Sequence, residues 1–171
     1  MKEEIVIINN EKCFRDKDQV YCQNIEMKSI PEELNSKFNI KLILRSGKIY
    51  PIHKIDLKNI STSSNIFSFI FEIFKNFRKK NKKFLIISIT PYTFIAFIFL
   101  ILGRKKIFLY LRSDGFEEYK VIFGRYFAWI YRLILFLMSK GSTVLCVNDK
   151  ILPRKNYNLV LPSQIDESWL E

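Results

Sequence analysis

Glycine and proline are scarce, five of each in 171 residues, which excludes a collagen-like or low-complexity chain. Neither G-x-G-x-x-G nor G-x-x-x-x-G-K-[ST] occurs, and the segment after the first apolar run carries no glycine. A nicotinamide cofactor and a P-loop nucleotide are therefore not supported. Cysteine is limited to Cys13, Cys22 and Cys146, with no C-x-x-C pair, and His53 is the only histidine. That set does not make a structural zinc site, and reduced thiols are expected. No metal is expected. Met1-Lys2-Glu3-Glu4 lacks the long apolar region and small-residue cleavage site of a signal peptide. The expectation is a cytoplasmic protein that can sit peripherally on the inner face of the membrane.

What is abundant is apolar: 49% of residues are hydrophobic, 16 of them Phe. A chain of this size forms one domain, here residues 1–171, and buries a core without disulfides or metal. Lys and Arg exceed Asp and Glu, giving a formal charge of +11. Because Lys, Asn, Ile and Phe are enriched together, the basic balance is weak evidence for nucleic acid, and no nucleic-acid recognition motif is present. A membrane surface or an anionic ligand fits the charge equally well.

Along the chain, apolar strand-like runs alternate with helical periodicity. Glu4 to Asn10 reads as a first, central strand. Residues 11–28 are polar and irregular. Ser29-Ile30-Pro31-Glu32-Glu33 has the form of a helix start, with Ser29 as cap. Asn39 to Arg45 is a second strand, Ile49 to Leu57 alternates as an edge strand does, and residues 61–65 read as a loop rich in capping side chains. Ile66, Phe69, Ile70, Ile73, Phe74 and Phe77 repeat at helical spacing. A basic run from Arg78 to Lys83, including Lys79 and Lys80, follows and offers contacts to anions or membrane.

Residues 84–103 carry no charge over a length that could span a bilayer. Against a spanning helix, Phe84 to Ile89 is β-branched like the other strands, and Thr90-Pro91 forms a cap followed by a first-turn proline. The expectation is a strand followed by a buried helix from Pro91 to Leu102. Ile107 to Leu111 is a further strand with no polar face, ending in the charged run Arg112-Ser113-Asp114-Gly115. Glu118 to Lys140 reads as one long helix in which Arg125, Trp129, Arg132 and Phe136 follow one stripe. Two arrangements suit that stripe. It can face the headgroup layer of a membrane, or the arginine stems can lie over neighbours while Trp129 and Phe136 fill core. Thr143 to Val147 and Asn158 to Leu161 complete the strands.

This alternation predicts an α/β fold, Rossmann-like, with a mostly parallel sheet covered by helices on both faces. Ligands of such sheets bind outside the carboxyl ends of the strands, where the strand order reverses. With the first strand central and Phe84–Ile89 beside it, Asn9, Asn10, Thr90 and Tyr92 are placed at that crevice. Arg112, Ser113 and Asp114 come one strand further along.

The order of elements, together with Arg112-Ser113-Asp114 and the stretch Leu161-Pro162-Ser163-Gln164-Ile165-Asp166 with Trp169, resembles the N-terminal, acceptor-binding domain of a GT-B glycosyltransferase. In that family the strand matching Ile107–Leu111 ends in a His-Asp or similar polar pair facing the acceptor. The closing strand leads into an Asn-Gly-Val-Asp-like turn and an aromatic. The resemblance implies a glycan, lipid-linked or small-molecule acceptor. It implies no tightly bound cofactor, and a nucleotide-sugar donor held mainly by a C-terminal donor-binding domain or subunit, so that this chain alone is expected to be inactive. Asp114 is then the residue that accepts or orients the acceptor hydroxyl, and Arg112 the one that offsets negative charge. Thr90, Tyr92, Ser113, Glu117 and Glu118 shape the pocket. A different class, a non-enzymatic α/β module, would dock on an anionic membrane surface or a protein partner through Arg125, Trp129, Arg132 and the 78–83 cluster.

Overall fold

Strand β1 (Glu4–Asp16) organises the molecule, because it belongs to two sets of strands at once. In the computed structural model, which describes residues 2–77, 82–113, 115–148, 151–152 and 157–160, its first half is central in a parallel array. On one side β1 pairs with β3 (Asn39–Ser46), which pairs with β5 (Ile60–Ser63). On the other side it pairs with β6 (Lys83–Ile87), followed by β7 (Lys106–Leu111), β8 (Thr143–Cys146) and β9 (Asn158–Leu159), all parallel. The second half of β1 continues past this array and pairs antiparallel with β2 (Gln19–Cys22), which pairs antiparallel with β4 (His53–Ile55). The fold is thus α/β, with a mixed sheet that is mostly parallel.

Both faces of the sheet carry apolar side chains, as helix-covered parallel strands require. On one face Ile7, Leu42, Leu44 and Ile87 pack with Met27 of α1 (Glu26–Lys37). On the other, Val6, Ile8, Phe84 and Ile86 pack against three helices. These are α2 (Ile66–Phe77), α3 (Pro91–Leu102) and α5 (Arg125–Lys140). A shorter helix, α4 (Gly115–Phe123), joins β7 to α5. Among the described residues no helix is long and apolar enough to cross a membrane.

Several boundaries depart from the sequence reading for identifiable reasons. Helix α1 begins at Glu26 rather than near Ser29, because the Asn24 side chain accepts a hydrogen bond from the Glu26 amide at 3.0 Å. Pro31 therefore lies inside the helix. Of the expected loop 61–65, residues 61–63 belong instead to β5, which starts at Ile60, since the edge of the array needs only one ladder and no apolar surface on both sides. Asn65, just after, does cap α2: its Oδ1 accepts from the Ser68 amide at 2.9 Å. The long helix is two, α4 and α5, separated at Gly124, whose φ of +90 is open to glycine at little cost.

The start of α3 follows the sequence closely. The Thr90 side chain accepts from the Thr93 amide at 3.2 Å, and the Thr93 hydroxyl accepts from the Thr90 amide at 2.8 Å. This reciprocal box satisfies two donors that the helix end would otherwise leave open. Thr90→Ala is expected to lower stability by about 1 kcal/mol, read as a shift of the urea midpoint with an unchanged slope. No shift would mean that the proline beside it fixes the helix start alone.

Candidate functional site

At the carboxyl ends of β1, β6 and β7 a cleft of about 250 Å3 opens. It lies where the chain order reverses, with β3 and β5 to one side of β1 and β6 to β9 to the other, the place where open α/β sheets bind ligands. Asn9, Asn10, Thr90, Arg112, Ser113 and Glu118 line it, together with Glu11, Ser88 and Tyr119.

The first wall is a deformation of β1. Ile8 pairs with Ile43 and Lys12 with Arg45, so the strand spends four residues where its neighbour spends two. The Asn9 side chain closes this irregularity by accepting from the Glu11 amide at 2.9 Å, while its own amide group donates to the Met27 sulfur. Asn10 is held by Arg45, which donates to its side-chain oxygen at 3.1 Å. Asn10 and Glu11 lie within this irregularity and line the crevice.

At the end of β6, Ser88 adopts φ of +64, a left-handed conformation that costs a non-glycine residue free energy. Its amide donates to the Tyr110 carbonyl at 3.0 Å, and its carbonyl accepts from the Thr93 hydroxyl at 3.0 Å. The bend is therefore fixed from both sides. It carries the chain from β6 into the Thr90 cap along the cleft floor.

The charged centre comes from β7 and α1. Arg112 Nη1 donates to Glu26 Oε2 at 2.6 Å, and Glu26 is 4% exposed. Burial works against the guanidinium charge, but Glu26, Glu11 and Glu118 outweigh it, so Arg112 holds its proton more firmly than a free arginine. Glu11 responds oppositely. Burial pushes its carboxyl above the ordinary carboxylate value; Arg112 and a hydrogen bond from Asn24 pull it back, and Glu26 pushes it up again. The cleft thus joins a fixed cation to a carboxyl group whose burial raises its hold on a proton, a pairing suited to binding oxyanions and hydroxyl groups.

The folded state therefore keeps the Glu11 proton to a higher pH than the unfolded chain does. Its contribution to stability is present below the ordinary carboxylate value, about 4.3 for Glu, and is lost as pH rises through the raised one. Glu11→Gln is accordingly expected to melt higher than the parent at neutral pH, with the difference closing as pH falls to the acid side of that window. Melting curves across pH check this; a difference that widens on acidification would contradict it.

Two further sequence candidates lie elsewhere. The Tyr92 ring packs edge-on to Phe69, with centroids 5.5 Å apart, and carries the Arg45 guanidinium 4.2 Å from its centroid. It supports Arg45, which holds Asn10, and is not part of the cleft lining. Glu117 pairs with Lys120 at 3.0 Å on the exposed side of α4. Asp114, and Arg78, Lys79 and Lys80, lie outside the described residues, as do Trp169 and the stretch from Leu161. Gly115 follows the tip of β7 so closely that a Cβ there would sit 2.5 Å from Tyr131, which also borders the cleft.

Sequence reasoning missed Glu11, Glu26, Ser88 and Tyr119. For Glu26 the signal was Asn24, whose side chain accepts from the Glu26 amide just ahead of the helix. For Ser88 nothing local distinguishes it from the end of a strand. Among the described residues no cluster of three His, Cys, Asp or Glu side chains could hold a metal ion. Comparison with protein-family models, curated proteins and solved structures gives no match.

Proposed function

We propose that this chain is a Rossmann-like domain that binds the acceptor of a nucleotide-sugar-dependent glycosyltransferase of the GT-B kind. The acceptor is a glycan, a lipid-linked sugar or a small hydroxyl compound. The donor nucleotide sugar is held by a C-terminal donor-binding domain or subunit. The cleft at the β1/β6 reversal carries this reading, because it gathers amide, hydroxyl, carboxylate and guanidinium groups at one strand-end crevice. The strand order supports it too. The parallel strands, renumbered along the chain, run 3-2-1-4-5-6-7, an extension of the usual Rossmann order.

In this reading Arg112, oriented by Glu26, offsets negative charge on the acceptor or the donor diphosphate. Asp114 accepts or orients the acceptor hydroxyl. Glu11 and Glu118 add carboxylates to the same crevice, and Asn9, Asn10, Thr90 and Ser113 supply neutral hydrogen-bonding groups.

Calorimetric titration tests the division of labour. The chain is expected to bind members of a glycan and glycolipid-headgroup panel in the cleft, and to bind UDP-glucose and related donors weakly, with Kd above about 1 mM. A tight site for a nucleotide sugar in this chain alone, with no acceptor bound, would make it a donor domain instead.

A further inference from the structure

The outer surface of the helix layer is apolar where a water-facing surface should be polar. Val121 is 83% exposed and Trp129 65% exposed, and Ile122, Phe123, Tyr126 and Leu133 are exposed beside them. On α5 the exposed positions are Tyr126, Phe127, Trp129, Leu133, Phe136 and Leu137, and otherwise only Arg125, Arg132 and Lys140. On α3, Ile98, Ile101 and Leu102 are exposed as well. This overturns the packing in which Trp129 and Phe136 fill core, and the fully buried α3. The residues that do fill the core from α5 are Ala128, Tyr131, Leu135 and Met138, on the opposite side of the same helix.

We propose that the outer face of α4 and α5 docks the protein on an anionic lipid bilayer. Charge selects that occupant. From Tyr119 to Asn148 the sequence contains Lys120, Arg125, Arg132 and Lys140 and no Asp or Glu. The acids of α4, Glu117 and Glu118, are confined to its first turn, where Glu117 pairs with Lys120; beyond it, apolar and aromatic side chains interleaved with Arg125, Arg132 and Lys140 match the boundary between acyl chains and anionic headgroups. Two of the cations are laid over rings: Arg132 lies 3.8 Å from the Phe116 centroid, and Lys140 lies 4.4 Å from that of Phe136. In both the charged group itself rests on an aromatic face. A second copy of this chain is a poorer occupant, because a symmetric contact through α5, which carries Arg125, Arg132 and Lys140 and no acid, would bring two positively charged helices together.

The docking surface and the cleft share α4. Gly115, Glu118 and Tyr119 border the cleft, and Val121 to Phe123 lie one turn further along on the exposed surface. The bilayer would therefore lie beside the cleft mouth. If the acceptor reading holds, on which this last step rests, the acceptor favoured is one whose apolar tail stays in the membrane.

The test uses the full chain carrying Trp169→Phe, so that Trp129 is the only tryptophan. Vesicles of phosphatidylcholine with a one-third share of phosphatidylglycerol are expected to bind it at low salt, with a blue shift of Trp129 emission. Pure phosphatidylcholine vesicles bind it far less, and added salt releases it. Removing cations as Arg125→Gln with Lys140→Gln is expected to weaken binding about 25-fold, at about fivefold for each. Val121→Ser with Ile122→Ser, both at exposed positions, is expected to weaken it without changing the thermal unfolding of the free protein. Equal binding to neutral and anionic vesicles, or no binding to either, would overturn the proposal. So would a blue shift that follows protein concentration without vesicles, which would identify a second copy as the occupant. Arg112→Ala is expected to leave vesicle binding unchanged, so failure of the cleft and failure of the docking surface are separately visible.

Discussion

Under the acceptor-binding function proposed above, replacing Arg112 by alanine is expected to lower sugar transfer about a hundredfold, and it is expected to cost the isolated chain about 2 kcal/mol of stability. The two effects have different origins. The stability loss comes from the 2.6 Å contact with Glu26, which ties the tip of β7 to α1 on the opposite face of the sheet from α3 and α5. Breaking such a pair at a buried carboxylate costs more than a surface ion pair returns. Arg112 is itself 37% exposed, which keeps the figure at the lower end. The turnover loss comes from the part of the guanidinium that faces the cleft. Arg112→Lys separates them, because it keeps the charge but not the rigid fork of donors. It should recover part of the turnover and less of the stability. Chemical denaturation and initial rates on the same three proteins check this. An alanine variant with normal turnover would remove Arg112 from the mechanism while leaving the fold intact.

Phe84→Ala is expected to destabilise the domain by about 3–5 kcal/mol, a large part of the total for a protein of this size. Phe84 is fully buried on β6, paired with Val6 on one side and Ile107 on the other, and faces the cluster that contains Phe69 and Ile73 of α2. Removing its ring leaves a cavity that parallel strands held from both sides cannot close. The informative control is the same change at Phe67, which is 80% exposed on α2 and should cost less than about 0.5 kcal/mol. A comparable loss at both positions would contradict the arrangement in which α2 buries Phe69 and Ile73 and presents Phe67 outward. Guanidinium unfolding curves of the two variants give both values.

The sequence carried the parallel array well because its strands are short apolar runs with no polar side, and Thr90-Pro91 carried the start of α3. It was silent over residues 11–16 of β1, over β2 and over β5, while it placed strands across β4 and β9. Residues 11–16 of β1, and 61–63 of β5, are mostly polar, because the edge of the array and the projecting extension of β1, β2 and β4 bury few of the side chains there. Gly124 lies at the break between α4 and α5, but apolar residues run up to it and resume directly after Arg125, and that continuity hides it. The site divides in the same way. Asn9, Asn10, Thr90, Arg112, Ser113 and Glu118 could be placed at one crevice, because strand ends are visible as the point where apolar runs meet polar residues. Glu26 could not, being 86 residues from Arg112; only the fold brings an early helix to the tip of a late strand. The exposed side of α5 was legible as a stripe, but periodicity alone does not say which side of a broadly apolar helix faces the sheet.

The most direct test of the central claim is a transfer assay on the protein purified from its own cells with whatever accompanies it. It is incubated with labelled nucleotide sugars and membranes of the same cells. The account predicts label moving from one donor into a glycan or glycolipid fraction, and about a hundredfold less when Arg112→Ala replaces the parent chain. No transfer from any donor, or transfer indifferent to Arg112, would contradict it.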